Sequence, residues 1–257
     1  MVSMTRVQFL TALTSTVIQV RREGSVIFPS VRLAQSLLET GGVIHPWYNL
    51  GGIKVGNASP NAYWNGQGIV KGTWEFVDGR SVDIKAAFRV YSSVYHYFKD
   101  QELLFAKSRY ERVRSSATPE LQAQMLRVCG YATDPQYENK IIAIVKQYNL
   151  KLYDGIIATE STTGVFKDTP TVPILHNGLV ITVGYNLLGT VWVPARSLGE
   201  VLGATIGWTG SQVLINGKEL DTKLDIQTGF VKIKDLALEL NKQAVWEAKT
   251  RTVTLNG

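Results

Sequence analysis

The sequence has a single cysteine, Cys129, and three histidines, His45, His96 and His176, among 257 residues. One cysteine excludes an intrachain disulfide. It sits in the apolar register of an expected helix and reads as a core residue. So few soft ligands argue against a zinc site, which takes three or four Cys, His or carboxylate ligands, and against a Cys–His nucleophile. No apolar run reaches the roughly 20 residues of a membrane span. The N-terminal stretch MVSMTRVQFLTALTSTVIQVRREG interleaves Val7, Leu10, Val17 and Ile18 with Thr, Ser and Gln. It reads as an amphipathic helix capped near Thr5, not as an export signal. Lys and Arg outnumber Asp and Glu, 27 to 21, yet no basic block occurs. The excess favours a polyanionic partner, but nothing supports a nucleic-acid stripe.

What is present centres on residues 28–54. Pro29 suits a first helical turn, where its missing N–H leaves nothing unpaired. Val31, Ala34, Leu37 and Leu38 recur at helical spacing and define a buried stripe. Gly41-Gly42 stops the helix just after Glu39. A carboxylate at a helix C-terminus beside an apolar stripe is disfavoured by the dipole and by burial, so its pKa should rise. A carboxyl that keeps its proton near neutrality can protonate a leaving oxygen. On pattern alone, a solvated residue at a helix end is the commoner case.

Further along, residues 69–77 and 81–85 are β-prone runs around Asp78-Gly79, which predicts a hairpin carrying Glu75. Helices are expected over 91–106, from Thr118-Pro119 to Gly130, and from Asp134-Pro135 onward, the last with Ile141, Ile142, Val145 and Tyr148 inward. Residues 155–173 are rich in Thr, Ser, Gly and Pro and read as a linker. Beyond it, Leu198/Leu236, Leu202/Leu240 and Trp208/Trp246 are each offset by 38 positions. That is an internal repeat of strand, short helix and strands. Matched tryptophans in a repeat are expected in the core, with carbohydrate platforms as the other reading. The fold class expected is α+β, with residues 1–154, a linker at 155–173 and a small α+β domain at 174–257.

The motifs FPSVRLAQSLLETG, YNLGGIK, the WEFVDG hairpin, FRVYSSVYHYFKD, SRY and GYATDPQYENKI occur in that order. Together they resemble glycoside hydrolase family 73, the peptidoglycan N-acetylglucosaminidases of lysozyme-like fold, over roughly residues 3–154. The resemblance implies Glu39 as catalytic acid, Glu75 as the second acidic residue, and Tyr131 lining the cleft beside the acid. It implies substrate contacts from Asn49, Trp47, Tyr48 and Tyr110, with no cofactor and no metal. Tyr63, Trp64 and Trp74 are further stacking candidates, several of which must be structural. Gly51 stands where the family's motif has Phe, a departure expected to alter how that loop packs.

Residues 172–257, through Val-Pro-Ala-Arg-Ser-Leu, Leu-Gly-Ala and Ile-Gly-Trp, resemble the copper amine oxidase N-terminal-like module, which carries no copper chemistry. Wall attachment, spacing or dimerisation are the roles it suggests. The partners implied are peptidoglycan glycan strands, with anionic wall polymers, and neither nucleic acid nor membrane. The implied reaction is hydrolysis of the β-1,4 bond after N-acetylglucosamine. A lytic transglycosylase and a non-catalytic wall-binding protein are the alternatives. Lacking a visible export signal, the chain is expected to be a phage endolysin made in the cytoplasm, or an autolysin stripped of its signal.

Overall fold

A computed structural model describes residues 4–77, 80–154, 164–225, 227–248 and 251–257. The chain divides into two compact units, Met1–Lys151 and Leu152–Gly257.

The first unit is mainly helical. Helix α1 (Arg6–Arg22) starts with a capping box, in which Thr5 accepts from the Gln8 N–H and the Gln8 side chain accepts from the Thr5 N–H. Helix α2 (Pro29–Thr40) begins at its proline and ends at Gly41, whose φ of +63° turns the chain left-handed. It packs against α1, α5 (Pro119–Val128) and α6 (Tyr137–Gln147). All residues from Pro29 to Leu37 are buried, including Arg32, Gln35 and Ser36. Arg32 and Gln35 pair with other buried side chains, Gln101 and Tyr137, whereas Ser36 Oγ and Arg32 Nε have no hydrogen-bond partner among the described residues. Val31, Leu33 and Ala34 are fully buried, each larger one contributing about 1.5–3 kcal/mol.

Strands β1 (Gly68–Val77) and β2 (Arg80–Arg89) form an antiparallel two-stranded sheet. The Asp78-Gly79 turn lies outside the described residues. At the sheet's base, the Arg89 guanidinium sits 4.2 Å over the Trp64 ring and donates to both oxygens of Asp100 on α3 (Val94–Phe105). Asp100 also accepts from Tyr91 at 2.6 Å and from Asn61 at 2.6 Å. This buried carboxylate with four polar contacts bolts the hairpin to the helical body. A 3-10 turn (Ser108–Tyr110) and α4 (Glu111–Arg114) follow α3. Cys129, expected in the core, caps the C-terminus of α5 and is half-buried. Helix α6 starts at Tyr137, two residues beyond Pro135, because Asp134 first accepts from the Gln136 N–H in a turn of its own.

The second unit holds a seven-stranded sheet in the order β11-β12-β3-β4-β5-β10-β9, where β9 is Thr222–Asp225, and a three-stranded sheet β6-β7-β8, where β8 is Lys218–Leu220. Strands β3 (Thr171–His176) and β4 (Leu179–Leu187) join through Asn177-Gly178, both at positive φ, as the hairpin signal requires. Strand β5 (Thr190–Pro194), helix α7 (Ala195–Val201), β6 (Ile206–Trp208) and β7 (Val213–Ile215) form one run. The run of β10 (Thr228–Lys232), α8 (Ile233–Glu239), β11 (Gln243–Glu247) and β12 (Thr252–Asn256) has the same element order. Leu198 and Leu236 are fully buried in one core.

Two expectations need correction here. Trp208 and Trp246 are each 45% exposed, not core, because both lie on edge strands with a sheet neighbour on one side only. The linker reading of 155–173 also fails at its end, although residues 155–163 lie outside the described residues. Phe166 is buried against Tyr185, Trp192 and Phe230, and β3 begins at Thr171. Those residues belong to the second unit, where an aromatic side chain can bury, and not to a spacer.

Candidate active site

The C-terminal end of α2 opens onto a groove of about 880 Å³ within the first unit. Glu39 lies at its floor. One wall is the loop through Gly51, Gly52, Ile53 and Lys54, and the other is the segment from Gly130 to Tyr137. That segment is set by the end of α5. Gly130, at φ +72°, ends the helix and the Tyr131 N–H returns to the Leu126 carbonyl. Arg109 then pins it by donating to the Cys129 and Gly130 carbonyls.

The Glu39 side chain meets groove water on one side and protein on the others. The desolvating protein lifts its pKa from the ordinary carboxyl range to about 7, and a hydrogen bond from Tyr137 opposes that rise. Groove water keeps the shift below what a sealed interior would give. The Tyr137 hydroxyl donates to Glu39 Oε1 at 2.7 Å. Burial, with Glu39 nearby, holds the phenols of Tyr137 and Tyr131 well above their ordinary pKa, so both stay neutral donors. The arrangement can hold a proton near neutrality and deliver it to a group in the groove.

Of the residues singled out from the sequence, Glu39, Tyr131 and Tyr110 meet at the groove. The Tyr131 hydroxyl donates to the Gly51 carbonyl at 2.8 Å, so it braces the opposite wall. Gly51 explains its own identity: a methyl there would lie 2.3 Å from the Tyr97 hydroxyl oxygen and 2.6 Å from that of Tyr131. Tyr110 is 3% exposed, packed edge-on against Phe105 with Arg109 over its ring. The backbone of Glu75 lies in β1 opposite Val82; its side chain and that of Trp74 lie outside the described residues.

Asn49 is a correction. It is buried, and its amide is spent on backbone: it donates to the Ile53 and Arg89 carbonyls and accepts from the Ile53 N–H. It staples the loop to the end of β2 and is not among the residues that line the groove. Trp47 and Tyr48 are half-buried and do not line the groove. Trp47 stacks on His45 at 4.3 Å with the Lys71 ammonium 4.6 Å from its ring. Trp64 is core, its indole N–H bonded to the Gln67 carbonyl. Tyr137 was not singled out, although it lies four residues before Ile141 on the inward face of the same helix. Among the described residues, no group of three or more His, Cys, Asp and Glu is placed to hold a metal ion.

A groove floored by a proton-holding carboxyl, walled on one side by the loop after Gly51 with the end of β2 and on the other by the segment between α5 and α6, is the site of this unit. The chain belongs to the glucosaminidase family, whose model, described as mannosyl-glycoprotein endo-beta-N-acetylglucosaminidase, matches residues 16–150. The chain is 32% identical over 148 residues to the exo-glucosaminidase LytG of Bacillus subtilis, covering 54% of this chain and 50% of that one. It is 37% identical over 114 residues to the peptidoglycan hydrolase FlgJ of Salmonella typhimurium, covering 44% and 34%. It thus spans half or less of the length of these curated relatives. A crystal structure of an N-acetylmuramoyl-L-alanine amidase from Staphylococcus aureus superposes with a TM-score of 0.51 at 25% identity, over 59% of this chain and 44% of that one.

Proposed function

We propose that this chain hydrolyses peptidoglycan, cleaving the β-1,4 bond after N-acetylglucosamine with Glu39 as general acid. The observation that carries the reading is the carboxyl of Glu39, set at the floor of an open groove with a pKa of about 7 and a fixed phenol donor on one oxygen. Glu39 gives its proton to the glycosidic oxygen as the bond lengthens, and positive charge builds at the anomeric carbon. Glu75, on the hairpin, is the proposed base that activates water. Tyr131, through its bond to Gly51, keeps the groove walls in place around the sugar. Lys54, Arg89, Lys107, Arg109 and Lys140 line the groove against Glu39 and Asp134. A basic lining suits a glycan whose lactyl-peptide stems carry carboxylates.

The reading extends to the second unit as a copper amine oxidase N-terminal-like module that attaches the enzyme to the wall. It extends also to the biological role of a phage endolysin or an autolysin.

Digestion of purified sacculi, followed by mass spectrometry of the fragments, tests the reaction. New reducing N-acetylglucosamine ends support it. Anhydro-sugar ends would assign a lytic transglycosylase instead. Loss of nearly all cleavage is expected in Glu39→Gln, and substantial residual cleavage would remove Glu39 from the role.

A further inference from the structure

The hydroxyl that donates to Glu39 is itself the end of a buried chain of hydrogen bonds. Gln35 Nε2 donates to the Tyr137 oxygen at 2.9 Å. Gln101 Nε2 donates to Gln35 Oε1 at 2.9 Å and to the Tyr97 hydroxyl at 2.9 Å. Arg32 Nη1 donates to Gln101 Oε1 at 3.1 Å. Arg32, Gln35 and Gln101 are each at most 1% exposed, and Tyr137 is 4% exposed. Arg32 is held from behind by an ion pair with Glu102 and a bond to Ser25.

The direction of this chain is not free. A guanidinium has donors only, so the Gln101 group facing it must be the carbonyl oxygen. The Gln101 amine therefore faces Gln35 and fixes the carbonyl of that amide. The Gln35 amine in turn faces Tyr137 and occupies a lone pair of its oxygen. The phenol proton is left with one charged acceptor, Glu39 Oε1. The carbonyl oxygen of a carboxylic acid is a better acceptor than its hydroxyl oxygen, so the bond from Tyr137 to Oε1 favours the acid proton on Oε2. That oxygen faces the groove wall at Gly52, where a methyl would come within 3.8 Å of it.

We propose that Arg32, Gln101 and Gln35 are positioning residues whose donor-to-acceptor order obliges Tyr137 to donate to Glu39 Oε1 and leaves Oε2 as the oxygen that carries the transferable proton. The proposal rests on Glu39 being the general acid. Tyr97, Tyr131 and Tyr137 face the carboxyl from α3, the α5–α6 segment and α6. Tyr110, the basic groove residues named above and Asp134 are the other titratable groups that line the groove among the described residues.

The test reverses the order with little change of shape. In Gln35→Glu an acceptor faces Tyr137, so the phenol turns its proton to residue 35 and accepts from Glu39 instead. The acid proton then moves to Oε1, away from the groove. Removing the far donor in Gln101→Met frees the Gln35 amide to flip to the same effect. In both variants kcat on wall fragments should fall about tenfold or more on the acid plateau, with KM within about twofold because neither residue lines the groove. The alkaline limb should move to higher pH by about half a unit or more, the size of one lost hydrogen bond. An added negative charge alone would move the limb and leave the plateau unchanged. Folding is checked by circular dichroism and melting, and either variant suffices if the other fails to fold. A folded variant with wild-type plateau and limb overturns the proposal. Glu39→Gln is run alongside: if it is inactive while the plateau in Gln35→Glu is unchanged, the relay alone fails. If Glu39→Gln is active, the acid assignment fails and the relay with it.

Discussion

Replacing Glu39 with glutamine keeps the shape of the side chain and its acceptor for Tyr137, and removes the ionisation. In the folded protein burial lets the carboxyl hold its proton up to a pH of about 7, against 4.5 for an ordinary glutamate. The native state therefore binds more protons than the unfolded state between those pH values, and stability falls as pH rises through that window. Above about pH 7 the full penalty is present, and below about pH 4.5 it is gone. A shift of that size in a sealed interior corresponds to about 3 kcal/mol. Because the carboxylate also meets groove water, about 1 kcal/mol is the expected magnitude. For a unit of this size that is a melting shift of roughly 2–4 °C. Thermal unfolding of wild type and Glu39→Gln at several pH values from 4 to 8 reads it directly. The variant should melt higher at pH 8 and match wild type near pH 4. A difference that does not change with pH would refute the reasoning, since the desolvated charge would then not be at Glu39. The same substitution should abolish cleavage, so stability and activity are expected to move in opposite directions.

The rate of wall cleavage should fall as pH rises through about 7, where Glu39 loses its proton; a profile flat from pH 5 to 8 would argue against it. Tyr137→Phe removes a hydrogen bond that favours the charged carboxylate, so that alkaline limb should move upward, read from kcat/KM against pH. Asp100→Ala leaves Arg89 without its buried partner and should lower the stability of the first unit by about 3–5 kcal/mol, measured by denaturant unfolding. Gly51→Ala must push apart the Tyr97 and Tyr131 hydroxyls and should lower stability by about 1–3 kcal/mol, with a wild-type melt refuting the close approach.

The local elements were legible because their signals are local. Pro29 and Gly41 bound α2, Thr5 and Gln8 cap α1, and Asn177-Gly178 closes a hairpin, all within a few residues of chain. The place of Glu39 at a helix stop beside an apolar stripe was local too, but pattern alone favoured a solvated residue there, and its role as acid came from the family resemblance. What supports it could not be read locally. Gln35 and Gln101 are polar residues in helices, which read as surface, and their burial follows from α2, α3 and α6 meeting across gaps of 66 and 102 residues. Asn49 read as a sugar contact because its partners include a carbonyl 40 residues away, so its backbone role is a tertiary fact. Trp208 and Trp246 were misread for a related reason: a repeat in the sequence matches the two positions to each other, but does not tell which side of an edge strand is covered.

The most direct measurement of the central claim is the titration of the Glu39 carboxyl by carbon NMR on protein labelled at glutamate, its signal assigned by its loss in Glu39→Gln. A midpoint near pH 7 is the predicted result. A midpoint near 4.5, the value of an ordinary solvated glutamate, would contradict the account.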